Sequence, residues 1–274
     1  MAKAPQNRLA AVARHIRVAA LYVAQMAKTR LEYRGDLAIE CMGSILSQCC
    51  GLAVVGIIFR SVPLLRGWSR AEVFFIYGFA LTAQALFEAV ADGFYWFADK
   101  YVMRGELDRV LLKPLHPLFQ VLLENFNFEF VAELALGLVI LAAATGQLES
   151  PPTAGEWALI AVMLPSAVLV LCGLFLALAS VSFWAEDKVG VLPPVYNLMA
   201  FGRYPLTIYH PVLRALLSWV LPYGFVAFYP ATGFLRRGEF SAYFWGTPAA
   251  GAVVFAFGYW IFRAGLRRYR STGS

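Results

Sequence analysis

The sequence predicts an all-α polytopic membrane protein, and three observations predict it. Hydrophobic residues make up 60% of the 274 and charged residues only 15%. The mean hydropathy is +0.64. Apolar stretches of roughly 20 residues, each enough to cross about 30 Å of hydrocarbon, take up most of the chain. Soluble domains run at about 45–50% apolar and 25% charged, so the excess apolar surface has to face lipid. Nothing the size of a soluble catalytic domain remains between the stretches, and residues 1–274 read as a single transmembrane domain.

Residues 1–35 are basic and amphipathic. Leu9, Val12, Ile16, Ala19, Val23 and Met26 share one side of a helix, while Arg8, Arg14, Arg17, Lys28 and Arg30 lie largely around the other. That pattern predicts a helix lying in the membrane interface. It lacks the compact apolar core and small-residue cleavage site of a removable signal. About six spans follow, at residues 37–59, 73–97, 126–144, 157–184, 189–204 and 243–262. The fifth is short, being interrupted by LPP at 192–194 and closed by Arg203. Gly/Pro-rich connections, SVPLLRGWSR and TGQLESPPTAGE, suit short turns between spans. Residues 205–238 approach a span in apolar content, yet Pro205, Pro211, Pro222 and Pro230 cut them into pieces too short to cross. An external re-entrant hairpin satisfies that pattern if protein shields its irregular backbone; one kinked span is the alternative.

Placing the N-terminus in the cytoplasm leaves seven of the 23 Lys and Arg outside, Arg203 and Arg214 among them. The positive-inside rule then puts both termini, and residues 99–120, in the cytoplasm. The net charge of +6 is explained by lipid headgroups and by this rule rather than by nucleic acid. Cys41, Cys49, Cys50 and Cys172 fall in apolar stretches without metal-like spacing and read as buried small hydrophobes. Trp68, Tyr95, Trp96, Tyr101, Trp157, Trp184, Tyr243 and Trp245 fall at the expected membrane borders and read as an aromatic belt.

The segment that bears most on function is RGELDRVLLKPLHPLFQ, residues 104–120. Leu107, Val110, Leu111, Leu115 and Leu118 recur at helical spacing, with Arg104, Glu106, Asp108, Arg109 and Lys113 supplying charge. Pro114 and Pro117 should stop or bend the helix. The product is a short, stiff cytoplasmic knob, although an ordinary inter-span loop with one helical turn has the same periodicity. Among the acidic residues in apolar segments, Glu88 and Asp92 lie four apart on one face of the second span, and Glu129 and Glu133 repeat the spacing at the start of the third. A central charge in lipid costs about 2.5–3.5 kcal/mol by the lower estimates. These four residues line a polar pathway or coupling network, or else pair with basic residues such as Arg104 and Lys113. No phosphate-cradling GxxxxGK[ST], HExxH or GxSxG pattern occurs, so the chain itself shows no catalytic, cofactor-binding or metal-binding motif. His116 and His210 each precede proline, which suits a structural role.

The order of elements and two segments, RGELDRVLLKPLHPLFQ and FGRYPLTIYHPVLRALLSWVLPYGFVAFYPA, resemble the permease subunits of type-2 ABC exporters. Within that class they are most similar to a largely uncharacterised bacterial branch. The resemblance implies that Gly105, Glu106, Leu107, Asp108, Arg109, Leu111 and Leu112 form the coupling helix that docks on a separate ABC ATPase. That ATPase, expected in two copies, would hold ATP and magnesium. The resemblance further implies a second, homologous permease chain as partner, a location in the bacterial inner membrane, and a hairpin that caps the pathway outside. The substrate would be a lipid-, glycan-, peptide- or drug-like amphiphile. A proton-coupled secondary transporter using the acidic residues, or an intramembrane enzyme using Glu88, Asp92 or His116, are the alternatives the residues leave open.

Overall fold

The computed structural model describes residues 34–128, 130–185 and 192–269, together with 20, 21, 24, 25, 27–29 and 32. Most of the expected interfacial helix lies outside the described residues, as does Glu129. Helix α1 (Arg34–Ser61) is apolar on nearly every face, and its buried residues are Gln48 and Val55. Helix α2 (Arg70–Ala91) is the central element, with most of its side chains buried. Its start is fixed by a capping box: the Ser69 amide donates to Glu72 Oε2 at 2.8 Å, and the Glu72 amide donates back to Ser69 Oγ at 3.4 Å. Beyond α2 come a tight turn, Asp92–Phe94, and a π-wound segment, Ala98–Met103.

Two short helices follow, α3 (Glu106–Leu112) and α4 (Pro117–Glu124), and then α5 (Phe130–Thr145). Helix α6 (Ala154–Ser180) opens on a second capping box, Thr153 with Glu156. The remaining helices are α7 (Leu192–Leu198), α8 (Pro211–Ala215), α9 (Phe228–Phe234) and α10 (Ser241–Arg268). The described residues are helical throughout their regular structure, as an all-α membrane fold requires. Four helical stretches are long and apolar enough to cross a membrane: 34–61, 70–103, 154–183 and 238–268. The third expected span is the shorter α5, of 16 residues. The fifth is α7 continued by a 3₁₀ turn, Met199–Arg203, because the LPP start and the chain of prolines beyond it prevent a longer helix.

In lipid, apolar helix faces gain little by leaving the acyl chains for one another, so close backbone approach decides which helices pair. Helices α2 and α5 meet through Gly78 and Gly137: a Cβ on Gly78 would lie 2.7 Å from the Leu141 amide, and one on Gly137 would lie 2.8 Å from Thr82 Oγ1. Helices α6 and α10 meet through Gly173 and Gly258, which face each other, and through Gly251, whose added Cβ would stand 2.5 Å from the Ser166 carbonyl.

The proline-broken region bends by 74° between Pro211–Val220 and Tyr223–Phe234. Both of its ends are tied to the turn before α2. Trp68 Nε1 donates to Thr207 Oγ1 at 2.7 Å, and Arg237 Nη2 donates to the Gly67 carbonyl at 2.8 Å and to Glu72 Oε1 at 2.7 Å. Its tip reaches inward, where the Tyr223 hydroxyl donates to the Val195 carbonyl at 2.6 Å. Both ends of the bent region are thus held beside the start of α2.

Three expectations need correction. Cys49 and Cys50 are exposed on α1 and Cys41 is half-buried, so the buried reading holds for Cys172 alone. Trp68 and Tyr101 are buried at 3% and 0% exposure and belong to the core rather than to an aromatic belt, because each has found an internal partner for its polar tip. Arg203, assigned to the outside, instead points into the bundle.

Candidate functional site

The knob is built by backbone geometry as much as by side chains. Gly105 has φ +71°, a left-handed conformation that glycine adopts without strain, and it turns the chain from the π-wound segment into α3. Helix α3 stops after Leu112, where Lys113 is extended (φ −82°, ψ 145°) as the residue before Pro114 must be. His116 is extended likewise, and Pro117 occupies the first turn of α4, where its missing N–H costs nothing. Gln120 Nε2 closes the hairpin by donating to the Val110 carbonyl at 3.0 Å and the Leu115 carbonyl at 2.8 Å. Salt bridges Lys113–Glu124 at 2.6 Å and Arg104–Asp99 at 2.7 Å stiffen its flanks.

The apolar residues of α3 divide between two surroundings. Leu107 and Val110 face the body and are buried at 0% and 2% exposure, whereas Leu111 and Leu112 are exposed at 46% and 86%. Leu107 and Leu111 therefore do not form one docking face, since the first turn of α3 packs on the protein and the last projects from it. Arg109, Lys113 and Pro114 are exposed beside Leu112; Glu106 and Asp108 are half-buried, and Gly105 is buried. The knob also touches the last helix, His116 Nε2 lying 3.0 Å from the Tyr259 hydroxyl.

A second constellation lies within the bundle. Glu88 Oε1 accepts from the Tyr196 hydroxyl at 2.5 Å. Glu133 accepts from Ser44 Oγ and, at 3.3 Å, from Gln48 Nε2. Gln48 Oε1 in turn accepts from the Tyr77 hydroxyl at 3.2 Å and from Arg203 Nη1 at 2.5 Å. Arg203 Nε donates to Gln84 Oε1 at 2.8 Å. The network joins α1, α2, α5 and the α7 segment, and it satisfies groups that would otherwise be costly to bury. Glu88 and Glu133 are thus bonded within this network, and Arg104 and Lys113 pair with Asp99 and Glu124. Asp92 caps the end of α2. Ser44, Gln48, Tyr77, Gln84, Tyr196 and Arg203 are the members that sequence reasoning missed; two glutamines inside apolar runs were the available signal. Among the described residues, no group of three or more His, Cys, Asp or Glu side chains is placed to hold a metal ion.

Residues 45–273 match the family described as ABC-2 family transporter protein, and this is most of the chain. The chain belongs to this family. It is a multi-pass membrane permease subunit of an ABC transporter, a transport component whose family works with an ABC ATPase. No curated protein and no solved structure matches it. The match takes in the permease's knob and, apart from Ser44, its buried polar network, and it begins within α1, beyond the segment expected to lie in the interface.

Proposed function

We propose that this permease is the membrane half of an ATP-driven exporter of amphiphilic substrates, with the knob as its contact to the ATPase. The observation that carries the reading is the exposure of Leu111 and Leu112 at the end of a stiff helical hairpin, with Arg109 and Lys113 at the rim. An apolar tip ringed by charge fits a groove on a partner protein, where burial of the leucines supplies affinity and the charges supply register. Gly105, Glu106, Leu107 and Asp108 set the helix in place, and Arg109, Leu111 and Leu112 meet the partner. ATP and its magnesium ion belong to that partner, in two copies, and a second homologous permease completes the membrane unit.

The charge asymmetry supports the bacterial inner membrane with both termini and the knob in the cytoplasm, and the re-entrant hairpin outside. Lipids surround the apolar faces of α1 and α10, and nucleic acid has no part. The substrate class is lipid-, glycan-, peptide- or drug-like, because the helices offer mainly apolar surface with a few buried polar groups. Glu88 and Glu133 belong to the network that couples helices, with Asp92 and Glu129 near it in sequence.

Inverted vesicles holding the permease and its ATPase test this directly. Fluorescent amphiphiles of each class should accumulate inside only when ATP is supplied. Accumulation driven by a pH gradient without ATP would favour proton-coupled transport through the acidic residues instead.

A further inference from the structure

We propose that Asn125 and Tyr101 form a clamp that carries movement of the knob into α2. The proposal rests on the reading of the knob as the ATPase contact and says how that contact reaches the membrane helices. Tyr101 is fully buried in the π-wound segment that ends the second span. Its hydroxyl accepts a hydrogen bond from Asn125 Nδ2 at 2.7 Å and donates to Glu124 Oε2 at 3.3 Å. Asn125 closes α4, its Nδ2 donating also to the Val121 carbonyl at 2.7 Å. Its Oδ1 accepts from Lys100 Nζ at 2.9 Å. One amide therefore joins the end of α4 to two consecutive residues of the π-wound segment. Glu124 extends the tie to Lys113, one residue past the exposed leucines.

The other side of Asn125 is seated against Gly93. A Cβ on that glycine would lie 2.7 Å from both the Cβ and Nδ2 of Asn125. Asn125 thus packs into the break in α2 at Asp92–Phe94 while it grips residues 100 and 101 beyond it. The break and the π-wound turn are where the helix has left regular α geometry, and such segments deform more easily than the helix around them. Left alone, that joint would absorb a push on the knob. Bridged by Asn125, both sides of the joint move with α4, and the displacement passes to α2 and to the network that contains Gln84 and Glu88.

The test uses the full chain with its co-expressed ATPase in lipid nanodiscs, with the native cysteines replaced by serine and Leu64→Cys added at the opposite end of the bundle. The labelling rate of that cysteine by a maleimide is measured with and without ATP plus vanadate. The parental chain should show a nucleotide-dependent change in rate. Asn125→Ala should lose the change while it still binds the ATPase, hydrolyses ATP and unfolds at the parental temperature, a combination that a merely structural role would not produce. If Asn125→Ala fails to assemble, Tyr101→Phe removes only the hydroxyl and should give the same loss. A parental response in an assembled variant would overturn the clamp and leave the reading of the knob intact. No nucleotide response in the parental chain would overturn both.

Discussion

Arg203 Nη1 donates to Gln48 Oε1 at 2.5 Å, joining α1 to the rest of the bundle. The remainder of α1 turns Ile39, Met42, Leu46 and Ile57 outward at 71%, 70%, 66% and 62% exposure. Apolar packing does not distinguish the bundle from lipid, so the polar contact decides where α1 docks. Gln48→Leu removes the acceptor for Arg203 and the donor to Glu133, and each interhelical hydrogen bond lost should cost about 0.6–1.7 kcal/mol. Thermal unfolding in detergent should show this loss, and Gln48→Leu combined with Arg203→Leu should cost less than the two apart. Strict additivity would mean the pair does not act together.

Close packing at the other helix pair is equally testable. Gly258→Leu places a side chain where the Gly173 backbone already stands, and neither backbone has room to yield. Separation of α6 from α10 should follow, with loss of the folded permease from the membrane. Gly246→Leu, on the same helix with open space at its Cα, should accumulate normally.

The hairpin makes a topological prediction. Thr207 and Arg237 are both held by residues 67–72, so cysteines at these two positions should be labelled from one side of the membrane. Glu72→Gln should loosen the second anchor and raise labelling of a cysteine placed at Glu239, with Arg237 left in place. Reagents reaching the two positions from opposite faces would show a single kinked span.

The contact between the knob and α10 should depend on pH. Burial first, and then the Arg263 guanidinium, hold the His116 imidazole below its ordinary value of 6.5. A histidine depressed in the folded state binds its proton more readily once released. Its contribution is therefore present above the unfolded value and declines as pH falls through it. The protection of α3 amides, with the intrinsic pH dependence of exchange removed, should fall between about pH 7 and 5, and His116→Gln should remove most of that dependence. An unchanged pH profile in the variant would show that His116 does not hold the knob.

The sequence showed the spans, the prolines that break residues 205–238 and the two stops around α3, because each follows from local chemistry: apolar run length, a missing N–H, a disfavoured helix before proline. It also picked out Glu88 and Glu133 as unusual. Their partners were not legible, because Gln48, Tyr196 and Arg203 come from segments distant in sequence and only packing brings them together. The same limit applies to Leu107 and Leu111, which share a helical spacing but not an environment. Asn125 stood in no recognisable pattern at all, since its role comes from a seat against Gly93.

The exposure of Leu112 beside the buried Leu107 allows the most direct test of the account. A photo-crosslinking residue replacing Leu112 in the complex should capture the ATPase, and the same residue replacing Leu107, if the knob tolerates it, should capture only the permease itself. Leu112→Asp should release the ATPase while the membrane domain stays folded, because a carboxylate buried in a groove costs far more than one in water. Retention of the ATPase by Leu112→Asp at the parental level, with no crosslink from position 112, would contradict the assignment of this helix as the coupling element.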